Sequence, residues 1–250
     1  MSTPAPPSAA AGSHRDAANP GASANPGASG PLGTPADIRR RIAARAAREI
    51  LPGTVVNLGI GVPTLVADFV PHDIGVIFQA ENGMLGYGAA PPPGHEDGHL
   101  TNAGGLPVSE TPGASYFDST VAFGMIRRGR LDMTILGALQ VSARGDLANW
   151  LVPGRRVPGM GGAMELAQKA RRVVAITTHT SKDGEPKIVS ECTLPLTAER
   201  CVHLIVTELA VIEVTPDGLV LREVAAGHSV DEVAAFTGAP LLVPTPPGVF

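Results

Sequence analysis

Apolar residues along this chain follow two alternating rhythms, a four-residue spacing and short unbroken runs. That alternation predicts helices separated by buried strands. The four-residue spacing is clearest at Ile38, Ile42, Ala46 and Ile50, which share one stripe with arginines on the other faces. Ahead of it, Thr34-Pro35-Ala36-Asp37 supplies an N-cap, a proline at the first helical position and an acid at the third, and Leu51-Pro52-Gly53 ends the helix. A strand over residues 54–58 follows, then the turn Gly59-Ile60-Gly61, a helix over 63–70 and a second buried strand over 75–80. Helices over 118–127 and 163–170 precede strands over 132–136 and 173–177. Residues 211–214 and 219–224 flank the turn Pro216-Asp217-Gly218 and predict a β-hairpin. Ser229-Val230-Asp231-Glu232 is a capping box for a last helix, which Gly238 stops. Strand–helix–strand order implies parallel strands with right-handed crossovers. The predicted class is α/β, an open, mostly parallel sheet with flanking helices plus a C-terminal β-hairpin and helix.

The first 33 residues interrupt this pattern. They are Ala, Pro, Gly and Ser with almost nothing to bury, and Asn-Pro-Gly-Ala-Ser occurs at 19–23 and again at 25–29. The expectation is a disordered tail over 1–33 and one domain over 34–250. A hydrophobic content of 44% against 17% charged residues supports a sizeable core in that domain. The formal charge of -4 lacks the basic excess of a nucleic-acid footprint. Cys192 and Cys201 fit neither a redox pair nor a zinc pattern, and no apolar stretch is long enough for a membrane helix. The expected setting is cytoplasmic, with reduced thiols.

Candidate chemistry concentrates at Glu81-Asn82-Gly83, where the strand over 75–80 meets a stretch containing Gly83, Gly86 and Gly88. In open α/β sheets, ligands gather beyond the carboxyl ends of strands. A lone carboxylate there, walled by backbone, suits a nucleophile or base. Asn57 lies near the carboxyl end of the strand over 54–58 and needs a partner near Glu81, since an unpaired buried amide costs about 1–3 kcal/mol. A second glycine cluster, Val157-Pro158-Gly159-Met160-Gly161-Gly162-Ala163, opens the helix over 163–170, and N–H groups there suit a developing oxyanion.

Two competing motifs are weaker. Gly59-Ile60-Gly61-Val62-Pro63-Thr64, with Glu81 about 20 residues on, imitates a dinucleotide fingerprint. Thr64 replaces its third glycine, however, and Pro63 removes an N–H from the first turn. Gly94-His95-Glu96-Asp97-Gly98-His99 offers metal-binding groups but has no helical register to converge them, so an exposed polar loop is expected and no metal.

Phe78-Gln79-Ala80-Glu81-Asn82-Gly83-Met84-Leu85-Gly86 resembles the active-site signature of the B (beta) chains of 3-oxoacid CoA-transferases. The resemblance extends through the segment beginning at Asn57, Asn102-Ala103-Gly104, Pro112-Gly113-Ala114-Ser115-Tyr116-Phe117, Leu136-Gly137-Ala138-Leu139-Gln140, Gly145-Asp146-Leu147-Ala148-Asn149-Trp150, the second glycine cluster and Cys192-Thr193-Leu194-Pro195. It implies a CoA-transferase-like fold and covalent catalysis through a glutamyl-CoA thioester on Glu81. By the same resemblance, Gly162 and Ala163 would supply oxyanion N–H groups and Asn57 would orient the Glu. Asn82, Gly83, Gly59, Gly61 and Gly161 would meet substrate. Coenzyme A would be a substrate rather than a resident cofactor. An obligate A subunit is implied, in an A2B2 assembly. CoA would pass from an acyl-CoA such as succinyl-CoA to acetoacetate or 3-oxoadipate. Two residues depart from the family pattern. Ala80 stands where many relatives have Ser, and Gly105 where many have Lys. A catalytically silent sensing or interaction subunit on the same scaffold is the alternative.

Overall fold

The computed structural model describes residues 33–154 and 159–250. The predicted tail thus lies outside the described residues, apart from its last position.

The first helix, α1 (Pro35–Ala47), starts as its sequence dictates. Thr34 Oγ1 accepts from the Asp37 amide at 3.3 Å while Asp37 Oδ2 accepts from the Thr34 amide at 2.9 Å. It stops three residues short of Ile50, which packs into the core from the following turn. Next comes strand β1 (Val55–Leu58). The segment Val62–Phe69 is a 3-10 helix rather than the α-helix expected. Pro63 lacks an N–H and the Thr64 amide closes onto Gly61 O, three residues back, at 3.1 Å, so its first turn winds tightly.

Strands β2 (Ile77–Ala80), β3 (Met84–Tyr87) and β4 (Glu110–Tyr116) then form an antiparallel meander. Helix α2 (Ser119–Arg127) leads into β5 (Met133–Gly137) and the short strands β6 (Gln140–Ser142) and β7 (Leu147–Ala148). Helix α3 (Ala163–Lys169) precedes β8 (Arg172–Ile176), β9 (Ile188–Val189) and β10 (Leu204–Val206). The predicted hairpin is β11 (Ala210–Thr215) and β12 (Gly218–Val224). Helix α4 (Val230–Phe236), with its Ser229–Glu232 capping box, and strands β13 (Leu241–Leu242) and β14 (Gly248–Val249) complete the described chain.

Eleven of these strands make one sheet ordered β13-β12-β11-β10-β8-β5-β1-β2-β3-β4, with β14 also on β12. Its centre, β2-β1-β5-β8-β10, is wholly parallel, and antiparallel meanders extend it on both sides. Strands β7, β6 and β9 make a small second sheet. Alternation along each strand splits the core between two faces. Val56, Leu58, Phe78, Ala80 and Ile135 pack with α1, whereas Leu136, Val173 and Ala175 pack with α2 and α3. No helix among the described residues is long and apolar enough to cross a membrane.

Beyond the end of β8, His179 is fully buried between two hydroxyls, Thr207 Oγ1 at Nδ1 and Thr237 Oγ1 at Nε2, each 2.9 Å away. Thr237 gives its own proton to Val233 O. Nε2 therefore donates, and in a neutral ring Nδ1 then accepts from the Thr207 hydroxyl, whose proton is also within 3.2 Å reach of Ala210 O. Burial pushes the imidazole down to about 4, so the folded chain binds fewer protons than the unfolded one between that value and about 6.5. Stability is accordingly present above pH 6.5 and lost as pH falls toward 4. Nearby Glu208, pushed up by burial, acts in the opposite sense. Urea unfolding at pH 7 and 4.5 should show the His179→Gln variant losing about 2 to 3 kcal/mol less than wild type over that interval. Equal losses in both proteins would show that His179 does not set this dependence.

Candidate active site

Glu81 follows β2 at the carboxyl edge of the parallel centre, in a three-residue turn that joins Ala80 to Met84. The turn needs glycine at its third place. Gly83 has φ of +125°, and a β-carbon there would stand 2.0 Å from Phe117 O. That approach is fixed by the Gly83 amide on Ala80 O and the Phe117 amide on Gly83 O, both 3.0 Å.

Strand alternation sends Ala80 into the core on the α1 side and Glu81 to the opposite face, toward α2 and α3. There Glu81 Oε2 accepts from Asn57 Nδ2 at 2.9 Å. Asn57 has no exposed surface, Glu81 is half-buried, and β1 and β2 are adjacent parallel strands. The carboxylate is therefore tethered on its buried side and open on the other. Burial first, and then the Glu81 charge, hold the Tyr87 phenol well above its usual value, so it stays protonated.

The second glycine cluster closes over the acid from the α3 side; its Val157 and Pro158 lie outside the described residues. Gly162 precedes α3, and the place its β-carbon would occupy lies 3.3 Å from Glu81 Cγ and 3.1 Å from Phe123 Cζ. A side chain at 162 would push the acid or the Phe123 ring aside. The first N–H groups of a helix have no acceptor within it, so this end of α3 turns donors toward the side of the carboxylate. A two-bond ion pair, Arg127 to Glu165 with both N···O distances 2.7 Å, ties α2 to α3 and lies over the Phe123 ring.

Together these elements enclose a cleft of about 710 Å³. Glu81, Asn82, Gly59, Gly161, Gly162 and Ala163 all line it. Gly61 and Gly83 do not. Gly61 shapes the entry to the 3-10 helix with φ of +91°, and Gly83 shapes the nucleophile turn. Asn82 points its amide nitrogen at Thr101 O, 2.8 Å away, and so moors the loop after β3. On the far wall stands Trp150, whose indole donates to Leu196 O at 3.2 Å. Beside it Asn149 donates to Gly137 O at 3.1 Å and accepts from Thr197 at 2.6 Å. Sequence reasoning overlooked Phe123, which the apolar face of α2 hid among core residues. The His95–His99 segment is exposed throughout, and no group of three metal-ligating side chains occurs among the described residues.

The family model for coenzyme A transferases matches residues 39–235, which is most of the chain. The chain belongs to the coenzyme A transferase family. It is 58% identical over 208 residues to the beta chain of a probable coenzyme A transferase of Bacillus subtilis (strain 168), covering 83% of this chain and 96% of that one. It is 47% identical over 202 residues to the B chain of the succinyl-CoA:3-ketoacid coenzyme A transferase of Helicobacter pylori (strain ATCC 700392 / 26695), covering 81% and 97%. Among solved structures, the apoenzyme of an acyl-CoA transferase from Escherichia coli O157:H7 superposes with a TM-score of 0.70 at 20% identity. That match covers 88% of this chain and 44% of the other. The chain thus spans less than half of that longer polypeptide. The likeness supports the α/β CoA-transferase fold.

The two departures from the family pattern have different surroundings. Ala80 is buried away from the cleft, so a hydroxyl there would not reach Glu81. Gly105 sits at a turn tip with φ of +74° and no atom within 4 Å of where a β-carbon would stand. Asn102 shapes that turn by accepting from the Gly104 and Leu106 amides at 2.9 and 3.1 Å.

Proposed function

We propose that this chain is the B (beta) component of a 3-oxoacid CoA-transferase and that Glu81 carries the acyl and CoA groups in turn. The Glu81 carboxylate attacks the thioester carbonyl of the acyl-CoA donor. The C–S bond breaks, leaving an acyl-glutamyl anhydride and CoA thiolate. The thiolate then attacks the glutamyl carbonyl and expels the donor carboxylate, so that a glutamyl-CoA thioester remains. An acceptor carboxylate repeats both steps in reverse and leaves as its CoA ester. Splitting the exchange this way replaces the meeting of two poor reactants by activated steps.

The observation that carries this reading is the placement of Glu81. It is held by Asn57 at 2.9 Å on one side and lies against Gly162 on the other, at the bottom of the cleft. In this role Asn57 fixes the direction of attack, and the Gly162 and Ala163 amides receive the negative oxygen of each tetrahedral intermediate. Glycine at 162 admits the reacting carbonyl where a side chain would exclude it. Asn82, Gly59, Gly61, Gly83 and Gly161 act as the substrate-side frame, by contact or by shaping its turns. Contacts to remote parts of CoA lower the barrier at the reacting carbonyl.

The names of the relatives support a partner A subunit, and we assign an A2B2 assembly acting in the cytoplasm. Succinyl-CoA is the donor on this reading and acetoacetate or 3-oxoadipate the acceptor. Coenzyme A enters as substrate, with no resident cofactor. To test this, the chain is co-purified with its A subunit and given acyl-CoA without acceptor. Peptide mass spectrometry should then find CoA joined to Glu81. Active complex that never loads Glu81 would overturn the mechanism.

A further inference from the structure

Behind Glu81 lies a polar row that the packing of a covered sheet does not require. Parallel register pairs Asn57 with Gln79 on one side and with Thr134 on the other. None of the three has exposed surface. Buried positions of parallel strands are ordinarily Val, Ile or Leu.

The hydrogen bonds here have one self-consistent assignment. Gln79 O and Glu81 Oε2 lie 3.1 and 2.9 Å from the same Asn57 atom. Both are acceptors, so that atom is Nδ2. The Gln79 side-chain atom 2.9 Å from it must then be Oε1. Asn57 Oδ1 is left to accept from the Thr134 hydroxyl, at a longer 3.3 Å. Gln79 Nε2 faces away, buried and without a partner among the described residues. An unpaired buried amide nitrogen is destabilising. Turning Gln79 over, however, would set its NH2 group against that of Asn57. Gln79 is therefore held in the orientation that satisfies Asn57 at its own expense.

We infer that Gln79 and Thr134 are positioning residues. By gripping Asn57 from both sides they keep its nitrogen, and not its oxygen, toward Glu81. The inference rests on the reading of Glu81 as the acylated group. Neither residue lines the cleft, so both act through Asn57. An Asn57 amide free to turn over would spend part of its time presenting Oδ1 to the carboxylate, which would repel it from the line of attack.

Three variants, Gln79→Met, Thr134→Val and Thr134→Ser, are purified with the A subunit. The rate at which acyl-CoA without acceptor loads CoA onto Glu81 is compared with KM and thermal midpoint. Gln79→Met keeps the side-chain length, loses the acceptor and also removes the unpaired nitrogen. It should load about 10- to 100-fold more slowly, with KM for acyl-CoA within about threefold of wild type and a midpoint no lower. Thr134→Val should slow loading about 3- to 10-fold, consistent with its longer bond, with a small drop in midpoint because Asn57 Oδ1 loses its donor. Thr134→Ser should restore the rate to within about twofold of wild type.

Loading at the wild-type rate in both Gln79→Met and Thr134→Val would overturn the inference. So would slower loading that tracks a lower midpoint, with Thr134→Ser no better than Thr134→Val. Because Thr134→Val preserves shape, it carries the test should Gln79→Met fail to fold. A wild-type complex that transfers CoA without loading Glu81 is a distinguishable result. It would remove the reading beneath the inference, and the inference with it.

Discussion

Replacing Glu81 by glutamine should lower CoA transfer by about 10⁴-fold or more, the scale seen when a covalent nucleophile is removed. The amide keeps an oxygen for Asn57 to donate to, so the 2.9 Å tether and the local packing survive. What disappears is the charged oxygen that attacks the thioester, and with it any route to an anhydride. Glu81→Asp separates position from chemistry. Its carboxylate retreats by one methylene from the cleft, while Asn57 remains fixed on β1. A displacement on the order of 1 Å is enough to cost about 100-fold, so Glu81→Asp should keep a small residual rate. Both variants, co-purified with the A subunit, should still melt near the wild-type temperature. Glutamine at this position with more than about one tenth of wild-type turnover would show that another group is acylated.

The second large effect is structural and falls on the turn that presents the acid. Gly83→Ala places a β-carbon 2.0 Å from Phe117 O at a φ of +125°. Main chain cannot yield as a flexible side chain would. The turn must open, and the two 3.0 Å bonds that close it are lost. We expect a loss of about 3 kcal/mol or more in urea unfolding, with activity falling because Glu81 no longer faces Gly162. Gly53→Ala is the control. Its φ of +71° is also left-handed, yet nothing lies within 4 Å of the new carbon. It should lose only about 1 kcal/mol, the cost of the backbone conformation alone. Equal losses at the two positions would mean that the approach of Phe117 to the turn is not tight in solution.

Much of this architecture was legible in the chain because its centre is built from strong local signals. The capping boxes at Thr34 and Ser229 and the largely apolar runs of β1, β2, β5 and β8 each gave elements within a few residues of those observed. The meander after Glu81 was not legible. Gly83, Gly86 and Gly88 read as a break, whereas they let β3 pass close to β4 and the Phe117 carbonyl. β4 is an exposed edge containing Pro112 and Gly113 and carries no alternation to detect. β6, β7 and β9 are two or three residues long, too short for any period. β10 was missed although its run of Leu204, Ile205 and Val206 was there to be read.

The site divided in the same way. Glu81, Asn57 and the second glycine cluster were named from sequence, and they converge in space. Gln79 was passed over as part of an apolar strand. Its position two residues before Glu81, which puts both on one face, was the available signal. Thr134 gave no such hint, because its link to Asn57 is a register of two strands 77 residues apart.

The two sulfhydryls of this chain have a practical consequence for optical work. Burial pushes Cys192 up to about 11 and Cys201 up to about 12. At neutral pH both are almost wholly protonated and slow toward maleimides. A His95→Cys substitution in the exposed loop would therefore accept a dye selectively with both native thiols left in place. That loop is tied through Thr101 O to Asn82, the neighbour of Glu81, so the dye would ride on a segment that borders the cleft without lining it.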